Sequence, residues 1–99
     1  MSKCRVLIVD DIAENIAQMV DMLSNLDIEI KKAYGGKEAI ELVETFKPNI
    51  ILLDLMMPEV NGWDVIEHVR ARYDKNEMII IITSLLNNKV NMMSVTKWV

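Results

Sequence analysis

A chain of 99 residues, 52% apolar and 26% charged, has room for one domain around one core and is too apolar to stay disordered. A net charge of −4 argues against a general nucleic-acid binder, which needs a basic face. No apolar run approaches the ~20 residues of a membrane span, Met1-Ser2-Lys3 shows no signal-peptide pattern, and a single cysteine, Cys4, leaves no internal disulfide, which fits a reducing, cytoplasmic setting.

Cys4–Val9 is expected as a buried strand, because Val6, Leu7, Ile8 and Val9 follow one another without a polar break. Ile16, Met19, Val20, Leu23 and Leu26 recur at helical spacing and predict a helix from about Ile12 to Asn25. Ile28-Glu29-Ile30-Lys31 alternates as a half-exposed edge strand does. Beyond the Gly35-Gly36 turn, Ala39, Ile40, Val43 and Phe46 mark the inner face of a second helix, which Pro48 ends. Asn49–Leu53 is expected as another apolar strand. A loop from Pro58 to Gly62 then leads into a helix with Val65, Ile66, Val69 and Tyr73 along one side. Met78–Ile82 predicts a fourth buried strand, and the order βαβαβαβ predicts a parallel sheet with right-handed crossovers. The pattern of Ser84–Val99 does not decide between a turn, a short helix and a short strand. One domain over 1–99 is expected, with 84–99 as a divergent tail.

Chemistry gathers where the apolar runs stop. Asp10-Asp11 follows Val9, Asp54 follows Leu53 and Thr83 follows Ile82. In a parallel α/β sheet these carboxyl ends face one crevice, where ligands bind, so carboxylates and a hydroxyl from distant parts of the chain converge there. Mg²⁺ prefers oxygen ligands and keeps several waters, so one or two direct carboxylates suffice. Asp11 and Asp54 are candidates for direct ligation, a backbone carbonyl just after Asp54 for another ligand, and Asp10 for a contact through water. An ionised Asp54 could attack phosphorus and form an acyl phosphate, with the Thr83 hydroxyl donating to a phosphoryl oxygen.

Leu7-Ile8-Val9-Asp10-Asp11, Ile51–Pro58 with Gly62, and Ile82-Thr83-Ser84 resemble the receiver domain of two-component response regulators. The resemblance implies a flavodoxin-like, doubly wound sheet of strand order 2-1-3-4, with a fifth strand and fifth helix missing or reorganised. It further implies that Asp54 is the phosphoacceptor and takes its phosphoryl group from a sensor histidine kinase or a phosphotransfer protein. Asp10, Asp11, Asp54 and the carbonyl of Met56 would hold Mg²⁺, Thr83 would be the switch hydroxyl, and Pro58 and Gly62 would shape the following loop. Such a protein is a signalling phosphoacceptor with self-catalysed phosphotransfer and autodephosphorylation rather than a metabolic enzyme. A receiver ordinarily continues through a fourth helix, a fifth strand ending near a lysine, and a fifth helix. Here Lys97 is the one candidate to stand for that lysine, and in that register the family's switch aromatic falls at Val95.

An uncovered Met78–Ile82 edge would be an association hazard, so a homodimer or strand-exchanged assembly through that edge and the tail is expected. The competing readings are a receiver-like interaction module that is not phosphorylated, and a fragment of a longer regulator. Plainer roles are expected elsewhere: His68 as a solvated surface residue, Cys4 as a small strand residue, and Trp63 packed at the start of the third helix.

Overall fold

The structure, a computed structural model, describes residues 3–55, 57 and 61–83. Seven elements follow one another: β1 (Cys4–Val9), α1 (Ala13–Met22), β2 (Ile28–Ala33), α2 (Gly36–Phe46), β3 (Ile50–Leu53), α3 (Gly62–Arg72) and β4 (Ile79–Ile82). The four strands form one parallel sheet in the order β2-β1-β3-β4, as expected from the sequence.

Alternation along the strands divides the core in two. Leu7, Val9, Ile51, Leu53, Ile80 and Ile82 face one way and pack with Ala39 and Val43 of α2 and with Val65 and Val69 of α3. Val6 and Ile8 face the other way and meet Ile16 of α1, flanked by Met19, Val20 and Leu23. Leu7, Ile8 and Val9 of β1 are wholly inaccessible, as a parallel strand covered on both faces requires, whereas β3 encloses Ile51 and Leu53 on one face and half-buries Ile50 and Leu52 on the other.

Two expected elements differ. Helix α1 stops at Met22 rather than running to Asn25. The Ser24 hydroxyl and amide both bond to the Asp21 carbonyl, at 2.7 and 3.2 Å, and this local bonding turns the chain out of the helix. Leu26, which carried the apolar period onward, is exposed. Strand β4 is not buried on both faces, since Ile80 and Ile82 are enclosed while Ile79 and Ile81 are 47% and 37% exposed. Those two lie on the side of the sheet where α1 is the only helix among the described residues, and α1 packs chiefly against β1. Trp63 is also exposed rather than packed.

The end of the sheet opposite the crevice is cross-linked. Arg5 Nε donates to the carbonyls of Phe46 and Lys47 at 3.0 and 2.9 Å and so satisfies the C-terminus of α2. The Arg5 amide donates to Asn49 Oδ1, and the Asn49 amide donates back to the Arg5 carbonyl, each at 2.8 Å. The Asn49 carbonyl in turn accepts from Ile79 at 2.9 Å. Lys47, between helix and strand, takes a left-handed conformation with φ of 50°.

Candidate functional site

Sheet register assembles the site. Ala33, Val9, Leu53 and Ile82 lie in one row across the four strands. The parallel ladder then continues one rung past the strand ends. Asp10 donates its amide to the Ala33 carbonyl (3.1 Å), Asp54 to the Val9 carbonyl (2.9 Å) and Thr83 to the Leu53 carbonyl (2.8 Å). Residues separated by tens of positions in the chain are thereby held side by side, with backbones that cannot shift independently.

Each of Asp10, Asp11 and Asp54 offers a carboxylate oxygen lying within 4.8 Å of those of the other two. Asp10 and Asp54 are buried, at 4% and 7% exposure, and Asp11 is open to solvent. Clustered carboxylates repel one another, and burial raises the cost of ionising them. Three hard oxygen donors around one gap suit a hard divalent cation, which relieves that repulsion. One rung away, the Thr83 hydroxyl oxygen is buried and has no hydrogen-bond partner among the described residues. A buried hydroxyl ordinarily finds a partner, so this one fits an oxygen-bearing group arriving at the same row. Met56 and Lys97, the other two candidates, lie outside the described residues, as do Pro58 and the tail from Ser84 onward.

Asp54 is braced from below by α3. The Gly62 amide donates to the Leu55 carbonyl at 3.2 Å, and a Cβ on Gly62 would stand 2.5 Å from Leu55 Cα and 2.6 Å from the Asp54 carbonyl oxygen. Only glycine lets the helix come this close. Asn61 starts α3 with a capping box, its side chain accepting from the Asp64 amide while Asp64 accepts from the Asn61 amide, both at 3.2 Å. Helix α1 lacks a side-chain cap from its own N-cap residue, Ile12. Instead Asp10 Oδ1 accepts from the Ile12 amide at 2.9 Å, and Asp10 Oδ2 accepts from Asn15 Nδ2 at 3.3 Å. Asn15 had no distinguishing mark in the sequence beyond being a polar residue one turn past an acidic pair.

A second polar group ties α2 to α3 away from the crevice. His68, expected to be solvated, is half-buried and its Nε2 donates to Glu44 Oε2 at 2.9 Å. Arg72 Nη1 lies 3.4 Å from His68 Nδ1, on the far side of the ring from Glu44. Arg72 Nε approaches Glu44 at 3.4 Å, and the Tyr73 hydroxyl donates to Glu44 Oε1 at 3.2 Å. The hydrogen bond from His68 holds the Glu44 carboxyl below its usual range against the opposing effect of burial, and Tyr73 and Arg72 add to it. Burial, followed by the bond to Glu44, pushes the Tyr73 hydroxyl up.

The sequence matches the family model of the response regulator receiver domain over residues 6–97. It is 40% identical over 88 residues to a probable cyclic di-GMP phosphodiesterase of Vibrio cholerae, covering 88% of this chain and 20% of that protein. It is 37% identical over 82 residues to the chemotaxis protein CheY of Thermotoga maritima, covering 82% of this chain and 68% of that one. In three dimensions the chain is similar to the response regulator domain of Thermotoga maritima CheB. That match has a TM-score of 0.77 and 27% identity, with 95% of this chain and 69% of that chain covered. The chain thus spans a fifth of one curated relative and about two thirds of another.

Proposed function

This chain belongs to the response regulator receiver domain family, and on that premise we propose that it accepts a phosphoryl group on Asp54 in a Mg²⁺-dependent reaction. One observation carries the reading: buried Asp10 and Asp54 and exposed Asp11 bring carboxylate oxygens within 4.8 Å of one another at the carboxyl ends of adjacent strands. Asp10, Asp11 and Asp54 would hold the cation, with the Met56 carbonyl as the further ligand that the family resemblance supplies. When bound, Mg²⁺ offsets negative charge on the phosphoryl oxygens.

In the proposed transfer an ionised Asp54 oxygen attacks phosphorus while the bond from phosphorus to the donor breaks. The donor is a phosphohistidine nitrogen on a sensor kinase or phosphotransfer protein, and that nitrogen keeps the electron pair. The product is an acyl phosphate on Asp54. The hydrogen bond from the Asp54 amide to the Val9 carbonyl fixes the nucleophile's backbone during attack, and the Thr83 hydroxyl, without a partner among the described residues, donates to a phosphoryl oxygen. Hydrolysis of that acyl phosphate returns the site to its starting state.

Incubation with Mg²⁺ and acetyl phosphate, followed by intact-mass measurement, tests the proposal. A phosphoryl adduct is expected on the native chain and none on folded Asp54→Ala or Asp11→Ala. An adduct retained by Asp54→Ala would overturn the assignment of the acceptor.

A further inference from the structure

Asn15 lies in the first turn of α1, four residues beyond Asp11 and five beyond Asp10. Facing a carboxylate, its side-chain amide can present only the NH₂ group, so the 3.3 Å bond to Asp10 Oδ2 runs from Asn15 to Asp10. The other oxygen, Oδ1, accepts the Ile12 amide. An aspartate carboxylate turns in a broad, roughly twofold well about its last bond. One hydrogen bond leaves it hinged on that contact, whereas two donors on separate oxygens fix its plane. Asp10 is 4% exposed, so bulk water is poorly placed to replace the Asn15 bond. With one lone pair on each oxygen engaged, the remaining ones are the only acceptors that Asp10 can turn toward the gap shared with Asp11 and Asp54.

We infer that Asn15 is a positioning residue for the cation site: by holding Asp10 Oδ2 it orients the Asp10 carboxylate toward the gap and so tightens divalent-cation binding without touching the ion. The inference rests on the acidic site being a cation site. It also couples that site to the start of α1, because the carboxylate facing the gap is the one that stands in for the missing helix cap. Coupling of this kind is reciprocal. A cation that binds the oriented carboxylate stabilises the fold, and it does so less once the orientation is lost.

The experiment uses Mn²⁺ as probe, with free Mn²⁺ counted by electron paramagnetic resonance and Mg²⁺ as competitor. Native protein is compared with Asn15→Leu, which keeps the side chain's shape but donates nothing, with Asp10→Ala, and with the double variant. Each is first shown to be folded by circular dichroism. Loss of a residue that orients a metal ligand typically weakens affinity about tenfold, and that is the expected effect of Asn15→Leu on Mg²⁺ binding. In the Asp10→Ala background the same substitution should change affinity less than about twofold, since no carboxylate remains to be oriented. The rise in melting temperature on adding Mg²⁺ should shrink in both Asn15→Leu and Asp10→Ala. Native affinity in Asn15→Leu would overturn the inference and leave the acidic site standing. An equal loss in both backgrounds would also overturn it and make Asn15 a purely structural residue. A native chain that binds neither ion would overturn both the inference and the cation site it rests on.

Discussion

Gly62→Ala puts two physical effects in direct opposition. Gly62 is the first residue of α3, where alanine should favour the helix by as much as ~1 kcal/mol. Against this, the new methyl group would lie 2.5 Å from Leu55 Cα and 2.6 Å from the Asp54 carbonyl oxygen, where ordinary contact begins at 3.4 Å. Both are backbone atoms, so no rotamer change relieves the clash. Either α3 or the Asp54-Leu55 segment must move by a large fraction of an ångström, and forced insertion into a packed region costs about 1–3 kcal/mol, sometimes more. The clash outweighs the propensity, and a net destabilisation of about 1–2 kcal/mol is expected in urea unfolding at unchanged m-value. Because one side of the clash carries Asp54, the proposed acceptor, phosphorylation by acetyl phosphate should fall by more than the folded fraction explains. A displacement of ~1 Å at a reacting group can cost about 10²-fold in rate. A Gly62→Ala protein as stable as native, or more so, and phosphorylated at the native rate would refute the argument that the close approach of α3 sets the acceptor's position.

Lys47→Gly should stabilise the protein by about 0.5–1 kcal/mol, because a side chain at φ of 50° is strained where glycine is not. The same denaturation curves check this, and a loss of stability would show that the Lys47 side chain makes compensating contacts. Folding lowers the Glu44 pKa below the usual 4.5, chiefly through the His68 bond, so the stability it contributes is present above that value and is lost as pH falls through the lower, folded one. Glu44→Gln should therefore flatten the decline in stability below pH 4.5, a change readable from melting temperatures across an acid series.

The central strands were legible because uninterrupted apolar runs such as Val6–Val9 are of strand length and end at polar residues; β1 is enclosed on both faces, while β3 encloses Ile51 and Leu53 and only half-buries Ile50 and Leu52. Asp10, Asp54 and Thr83 were legible for the same reason, since each is the first polar residue after such a run. Strand β4 misled because four successive isoleucines carry no alternation to read, although the sheet buries only every second one. The end of α1 misled because Leu23 and Leu26 keep the helical period while Ser24 bonds locally and breaks it. Asn15 and the Glu44–His68 pair were invisible for a different reason. Their roles depend on which atoms meet across an element boundary or between two helices 24 positions apart, and no periodicity encodes that.

The Arg5–Asn49 cross-links divide the molecule mechanically. They clamp the first rungs of β1, β3 and β4 and the tail of α2 at the end of the sheet remote from the acidic residues, so the strands behave like rods fixed in a base with their tips working. Tips held this way can differ in side-chain chemistry without changing how the rods stand. Replacing Asp11 or Asp54 should therefore remove an ionic function while the base keeps the scaffold upright. The two halves of the clamp are separable: cutting Arg5 back to alanine would release only the C-terminus of α2, because the strand links run through the Arg5 backbone and Asn49, whereas cutting back Asn49 would remove the side-chain acceptor that the Arg5 amide uses.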